Sequence, residues 1–527
     1  MNFLIFYVGD PFDKIPAFSL RQIFILIFLV CNTLLFGQGI ILSSGPTERS
    51  GGSYQLQQPI RGSLVGSHSG SDDLTLDISS GFYGFDFDDN VTENGVGVVP
   101  PDACGAAGTD RVIAVVNMMI ECRTKAGDLL WRDGLSGFFS EIGPPLGTLT
   151  FDPKVVWDHF EDRFVVVTSE AIRQSDGGGA TDESHILLAV SKDATPTTAT
   201  AADWWYYDID AKTIIGGDPC LADYPGFEVD EEVVYVTNNM FTFDSDTLLG
   251  VRLWIIDKGI TDGFYSGGLT SWKALDPYFG IENPPIMTLQ PAQIFGAGGP
   301  GPGIGTYLVG YSSLSDGADE WVAVARVNNP LPITPDGTTF STTGVNVGNI
   351  EDVGGEFGWP DLPDAPQLGS TAMDIEVNTS KALDAVWRND PNHGSMLWLT
   401  ATILPNTDYD ASNAGQTTAH WFRLDTSTWP PTLDDQGNIG GDDIAGAGYE
   451  VSTFYPSLAV DSQGNAYFGF SASSDSIYCG AYAAAQHWND PVSTVCEEQK
   501  QLLQVLESTK ELMEPLEIVG VTIVVLL

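Results

Sequence analysis

Between about residue 100 and residue 486, apolar and polar positions alternate with a period of two far more often than with the helical period. Runs such as "RVIAVVNMMIEC" (111–122), "RFVVVTSE" (163–170), "HILLAVS" (185–191) and "VVYVTNNMF" (233–241) are rich in β-branched and aromatic residues. Clusters of Gly, Asp, Asn and Pro bound them, which is the pattern of short strands joined by turns. This predicts an all-β protein.

Three of these stretches repeat one grammar: "DPKVVWDHFEDRFVVVTSE" (152–170), "YPGFEVDEEVVYVTNNMF" (224–241) and "YPSLAVDSQGNAYFGFSAS" (455–473). Each runs proline, alternating apolar positions, aspartate, a short turn, then an apolar strand. The prolines are Pro153, Pro225 and Pro456, and the aspartates are Asp158, Asp230 and Asp461. Physically this reads as strand, tight turn, strand, with the aspartates in the turns. Looser copies recur at roughly 50–90 residues, each with about four strand candidates, as in the blades of a propeller. Stacked sandwich domains would need about seven strands per ~100 residues. The fold predicted is a β-propeller of six or seven four-stranded blades over residues 80–486.

Both ends depart from that pattern. Lys14 and Arg21 precede the apolar run "QIFILIFLVCNTLLFGQG", and small residues follow, so residues 1–42 read as a leader plus a signal peptide, with an uncleaved signal anchor as the rival. Residues 43–79 read as a flexible Gly/Ser-rich linker. In the tail, 487–527, Leu502, Leu503, Val505, Leu506 and Leu512 suggest a short amphipathic helix, and the final apolar run is too short to span a membrane.

In order along the chain, "VVPPDACGAAGTDRVIAVVN" (98–117), "FEDRFVVVTSE" (160–170), "DYPGFEVDEEVVYVTNNMF" (223–241) and "FYPSLAVDSQGNAYFGFSAS" (454–473) resemble a family of secreted β-propeller proteins. The resemblance runs from about residue 80 to residue 484 and implies a propeller fold and export. It brings no activity and no catalytic residues. Members of that group continue into a further blade with an Arg-Trp-Gly-Asp-Tyr-like segment; here the helical tail replaces it, so the last blade is expected to be incomplete, as in a truncated or misjoined gene product.

Charge narrows the partners. Seventy acidic against 22 basic residues give a formal net charge of −48, a field that repels phosphate backbones and excludes nucleic acid. Export permits disulfides, and Cys104 with Cys122 is the pair expected to face each other on neighbouring strands. Asp434, Asp435, Asn438, Asp442 and Asp443 in "DDQGNIGGDD" offer oxygen ligands on a glycine-rich loop, as does "DFDDN" (86–90), so calcium is the candidate cofactor. Neither matches the EF-hand spacing; ordinary solvated turns explain both as well.

Catalytic motifs are absent: no Gly-x-Ser-x-Gly elbow, HExxH or P-loop occurs, and the six histidines are scattered. Arg111, Arg163, Arg252, Arg326, Arg388 and Arg423 fall on separate units and are candidates to converge near the axis, against the simpler expectation that each pairs with a local acid. Of Trp204 and Trp205 in "DWWYYD", one is expected to face outward, where it could stack on a sugar, or to pack between blades. The reading that follows is an exported or cell-surface module that binds glycan, matrix or protein ligands, with membrane attachment only if the N-terminal segment is retained. A sialidase-like or other glycosidase using the central pocket is the competing class, and a passive surface protein the third.

Overall fold

The computed structural model describes residues 84–490 apart from loop stretches, the longest at 143–149, 278–285, 352–360, 369–373 and 445–449. Phe82 and strands at Ile40–Leu42, Lys500–Gln504 and Ile518–Val519 are also described. The predicted linker and nearly all of the leader lie outside the described residues.

Six antiparallel sheets succeed one another along the chain as the blades of a propeller. Blade one spans residues 104–134, blade two 150–210, blade three 213–275, blade four 290–348, blade five 382–439 and blade six 452–504. Each is built in simple up-and-down order around four strands. Thr213–Ile215 adds an edge to blade three, and Gln293–Phe295 pairs in parallel with the first strand of blade five, Ala382–Asp390. The first strands of successive blades lie against one another and surround the axis.

Alternation buries one row of side chains in each gap between blades. Ile113, Val115 and Trp131 of blade one pack with Val155, Val166 and Trp204 of blade two, and comparable clusters join two to three, three to four, four to five and five to six. Among the described residues, no such cluster joins blade six to blade one.

The repeated motif is the hairpin formed by the first two strands of a blade. Asp230 Oδ1 accepts from the backbone N–H of Glu232 (2.8 Å) and Val233 (2.7 Å), and Asp158 and Asp461 close their turns in the same way. The side-chain oxygen satisfies amides that the strand ladder leaves unpaired, which explains aspartate there. The prolines sit farther back, inside the first strands, where the register slips between Phe151 and Lys154, Asp223 and Gly226, and Phe454 and Ser457. A bulge leaves a residue out of the ladder, so a residue without an N–H costs nothing there.

Three expectations are corrected. Leu502 and Leu503 belong to a strand, Lys500–Gln504, which pairs with Ile477–Gln486 as the fourth strand of blade six. The exposed edge of Ile477–Gln486 offers a row of N–H and C=O groups, and pairing with it prevails over the helical spacing. Val505, Leu506 and Leu512 lie outside the described residues. The last blade therefore has four strands. Cys104 and Cys122 are free: they stand on the first and third strands of blade one, opposite Val115 and Ile113 of the strand between them. Two strand spacings, about 9.5 Å, exceed the reach of a disulfide.

Candidate functional site at the channel mouth

The bulges place a ring of unusual backbone around the axis. Asp102, Asp152, Tyr224 and Tyr455 all take positive φ, between 41° and 52°. Such non-glycine positions cost about 1–3 kcal/mol each and persist only where neighbours enforce them. Here the preceding blade does so. The amide of Asp152 donates to Asn117 Oδ1 (2.7 Å), that of Tyr224 to Asp152 Oδ2 (3.2 Å), and that of Tyr455 to Thr402 Oγ1 (3.1 Å). Thr288, just before blade four and also left-handed, is held by Asn239 Oδ1 at 2.7 Å.

Three acids line up across blades one, two and three. Asp152 is hydrogen-bonded to Asp102 on one side and Asp223 on the other. Two carboxylates cannot bond each other unless a proton lies between them, so the trio holds at least one proton. Burial, then the charge of Asp152, pushes Asp102 up to about 8; burial raises Asp223 to about 6. Burial, followed by Asp223, holds Asp152 well above the usual carboxylate range. Asn117 anchors the row by donating to Asp102 Oδ2 at 2.6 Å.

Farther along the channel, Cys104 of blade one lies within electrostatic reach of Lys154, Glu228 and Asp384, from blades two, three and five, a set that meets only at the axis. Burial holds Glu228 well above its ordinary value, and its Oε2 is buried with no hydrogen-bond partner. Asp384, raised to about 6 by burial, accepts from the amides of Ala385 and Leu458, both at 2.8 Å. Lys154 Nζ lies 5.2 Å and Lys381 Nζ 4.3 Å from the ring centroid of Tyr224. Asp102, Lys154, Tyr224, Glu228, Lys381 and Asp384 keep partial exposure, whereas Asp152 and Asp223 are buried. The segment between blades four and five borders this end of the channel. Its Leu368 amide donates to Ile477 O (3.1 Å), Pro366 O accepts from Ser473, and Glu376 O accepts from the Tyr455 hydroxyl.

No family model and no curated protein matches the chain. Solved structures that it resembles include a sialidase of Trypanosoma rangeli in complex with sialic acid, at 8% identity and TM-score 0.34 over 74% of this chain and 55% of that one. An α-L-arabinanase of Cellvibrio cellulosa matches at 11% identity and TM-score 0.30 over 78% and 96%. A xylan β-1,4-xylosidase of Bacillus halodurans matches at 10% identity and TM-score 0.28 over 63% and 54%. The match thus spans about half the length of the xylosidase and of the sialidase. None of their residues is carried onto this chain.

The arginines singled out from the sequence each hold a different partner. Arg163 donates to Tyr265 O (2.6 Å), Arg252 makes a two-pronged pair with Asp276 (2.7 and 2.9 Å), and Arg423 pairs with Asp434 (2.5 Å). Arg326 and Arg388 lie over the rings of Trp429 and Phe295, and Arg111 donates to Asp110 O. Trp204 is fully buried between blades one and two, its indole N–H bonded to Thr198 O (2.9 Å). Trp205 is half-buried beneath Lys192, 3.6 Å from the ring centroid.

The calcium loop is a strand as far as Ile439, the outer strand Thr432–Ile439 of blade five. Asp434 and Asp435 face Arg423, while Asn438 is engaged by Asp410 and His420, both at 2.7 Å. Asp442 and Asp443 lie outside the described residues. "DFDDN" instead opens the helix Phe87–Asn94, with Asp86 as its N-cap. Among the described residues no group of three or more His, Cys, Asp or Glu side chains is placed to hold a metal ion. Of the two glycosylation sequons, Asn90 is buried and donates to Asn117 O at 2.8 Å, whereas Asn378 is exposed. Sequence reading missed Asp152, Lys154, Asp223, Tyr224 and Glu228, although the repeat contains them; taken as turn grammar, the residues flanking each proline concealed their place on the axis.

Proposed function

We propose that the protein is an exported propeller that binds glycans at the mouth of its central channel. The observation carrying this reading is the convergence there of partly exposed polar and aromatic side chains from separate blades: Asp102, Lys154, Tyr224, Asp384 and Tyr455. Such a mixture offers hydroxyl-binding donors and acceptors beside aromatic surface, which is what a sugar ring requires. Export rests on the N-terminal signal pattern and on the family resemblance. No described helix is long and apolar enough to cross a membrane.

One pair of residues favours hydrolysis as the second reading. Glu228, raised well above its ordinary value by burial, lies within electrostatic reach of Asp384, raised only to about 6, as an acid and its counterpart would. The Asp102–Asp152–Asp223 row is less suited to this. Its members bond directly, whereas glycosidases space their carboxyls about 5–9.5 Å apart. Incubating the full chain with a polysaccharide panel, and reading binding and products by mass spectrometry, tests both. Binding without products supports the module. Products that vanish in Glu228→Gln replace it with the enzyme. Neither binding nor products from a folded chain rejects the site.

A further inference from the structure

Lys154 and Lys381 differ from most of the partly buried cations of this chain; Arg388, over the ring of Phe295, is a similar case. The buried or half-buried Arg123, Arg132, Arg173, Arg252, Lys258 and Arg423 each hold a carboxylate. Lys192 and Lys273 donate to backbone oxygens. Lys154 and Lys381 have neither a hydrogen bond nor an ion pair among the described residues; both approach the ring of Tyr224. An ammonium carries three donors, and one that is partly buried without acceptors is costly unless something else supplies them.

No acid pairs directly with either lysine among the described residues. Asp102, Asp152 and Asp384 lie within electrostatic reach of Lys154, and Asp102 within that of Lys381, but burial raises all three acids and so weakens their charge. Two positive charges within 5.2 Å of one ring centroid therefore face the channel of a chain whose net charge is −48. Acidic side chains elsewhere on the surface would repel a polyanion at long range, so the local pair must act at contact distance, inside about one Debye length.

We infer that Lys154 and Lys381, converging on Tyr224, form a subsite for the anionic substituent of an acidic saccharide. This rests on the glycan-binding reading and narrows it to sugars bearing a carboxylate or a sulfate. Lysine acts as a point charge and does not demand the planar fork that arginine matches to a carboxylate, so the subsite accepts either group. The neighbouring acids and Tyr455 are left to meet sugar hydroxyls.

The test titrates the full chain with trigalacturonate, with a sulfated oligosaccharide and with a neutral oligosaccharide of equal length. The acidic ligands should bind, weaken as salt rises, and lose tenfold or more in affinity in Lys154→Met/Lys381→Met. In Lys154→Arg/Lys381→Arg binding should survive. Amine acylation of the unmodified protein, read by mass spectrometry, should label both lysines without ligand and neither with it; this check needs no variant to fold. Equal uronate and sulfate binding identifies a charge subsite, and a preference between them names the substituent. Neutral sugar bound as tightly as acidic sugar, or acidic binding unchanged in a folded double Met variant, overturns the subsite and leaves the glycan reading intact. Labelling unaffected by a bound acidic ligand overturns it too. No glycan bound by the folded chain removes both.

Discussion

Asp158 shows how much one repeat residue can carry. Its Oδ1 closes the hairpin turn, while Oδ2 accepts from the Tyr265 hydroxyl (2.6 Å) and meets Lys258 Nζ at 2.5 Å, with both charged side chains fully buried. Removing one partner of a buried pair costs more than the pair contributes, because the remaining charge is stranded in low dielectric. Asp158→Ala should therefore destabilise by about 3–5 kcal/mol. Asp158→Leu with Lys258→Met should recover most of that in denaturant titration; a double variant as unstable as the single one refutes the argument. The channel acids impose a different dependence. An unfolded aspartate releases its proton near 3.9, but folded Asp223 and Asp384 keep theirs to about 6 and Asp102 to about 8. Their contribution is complete below the unfolded value and is lost as pH rises through the folded ones. The melting temperature should fall between about pH 4 and 8, and Asp102→Asn should flatten the upper part of that fall.

At the scale of elements, the latch between blades is the most exposed dependency. Asn239 Oδ1 accepts from the left-handed Thr288 amide just before the next blade, and its Nδ2 donates to Thr288 Oγ1 at 3.0 Å. Asn239→Ala leaves that buried amide without an acceptor and should cost about 1–3 kcal/mol. Asn239→Asp, which keeps the oxygen, should lose less; equal loss in both would show that shape and not hydrogen bonding matters here. Hairpins were legible in the sequence because their grammar is local: alternating Val and Ile, then an aspartate whose own side chain makes the turn. The latches were not, since Asn117, Asn239 and Thr402 look like ordinary strand residues until the next blade is in place. Cys104 and Cys122 misled because alternation gives the face of a strand but not the number of strands between two positions. Lys154 and Lys381 were invisible for a similar reason: only the circular order of blades brings the second and the fifth to one tyrosine.

For the whole molecule, cohesion depends on the gaps between blades, and these are unequal. Five gaps hold apolar clusters with fully buried residues such as Trp204, Trp254, Trp398 and Tyr235. On the side of blade one away from blade two, Glu121 is buried between Arg123 and Arg132, and both arginines lie over Phe82 and Phe85 of the preceding segment. A charged cluster of this kind rests on a few directional bonds and contributes little net stability beside an apolar core. Regions with fewer buried apolar contacts open at lower free energy. Hydrogen exchange read by mass spectrometry should therefore find blades one and six losing protection first. Peptides covering 104–124 and 466–486 should exchange ahead of those covering 163–191, 233–257 and 394–403. Simultaneous exchange of all six blades would mean that the seam between blades six and one is as cohesive as the rest. If the order holds, opening begins beside Asp102 and Tyr455, which stand at the channel mouth on the two blades concerned. An acidic glycan held there by Lys154 and Lys381 should then slow exchange in blades one and six more than in blade four, because it links groups that otherwise part first.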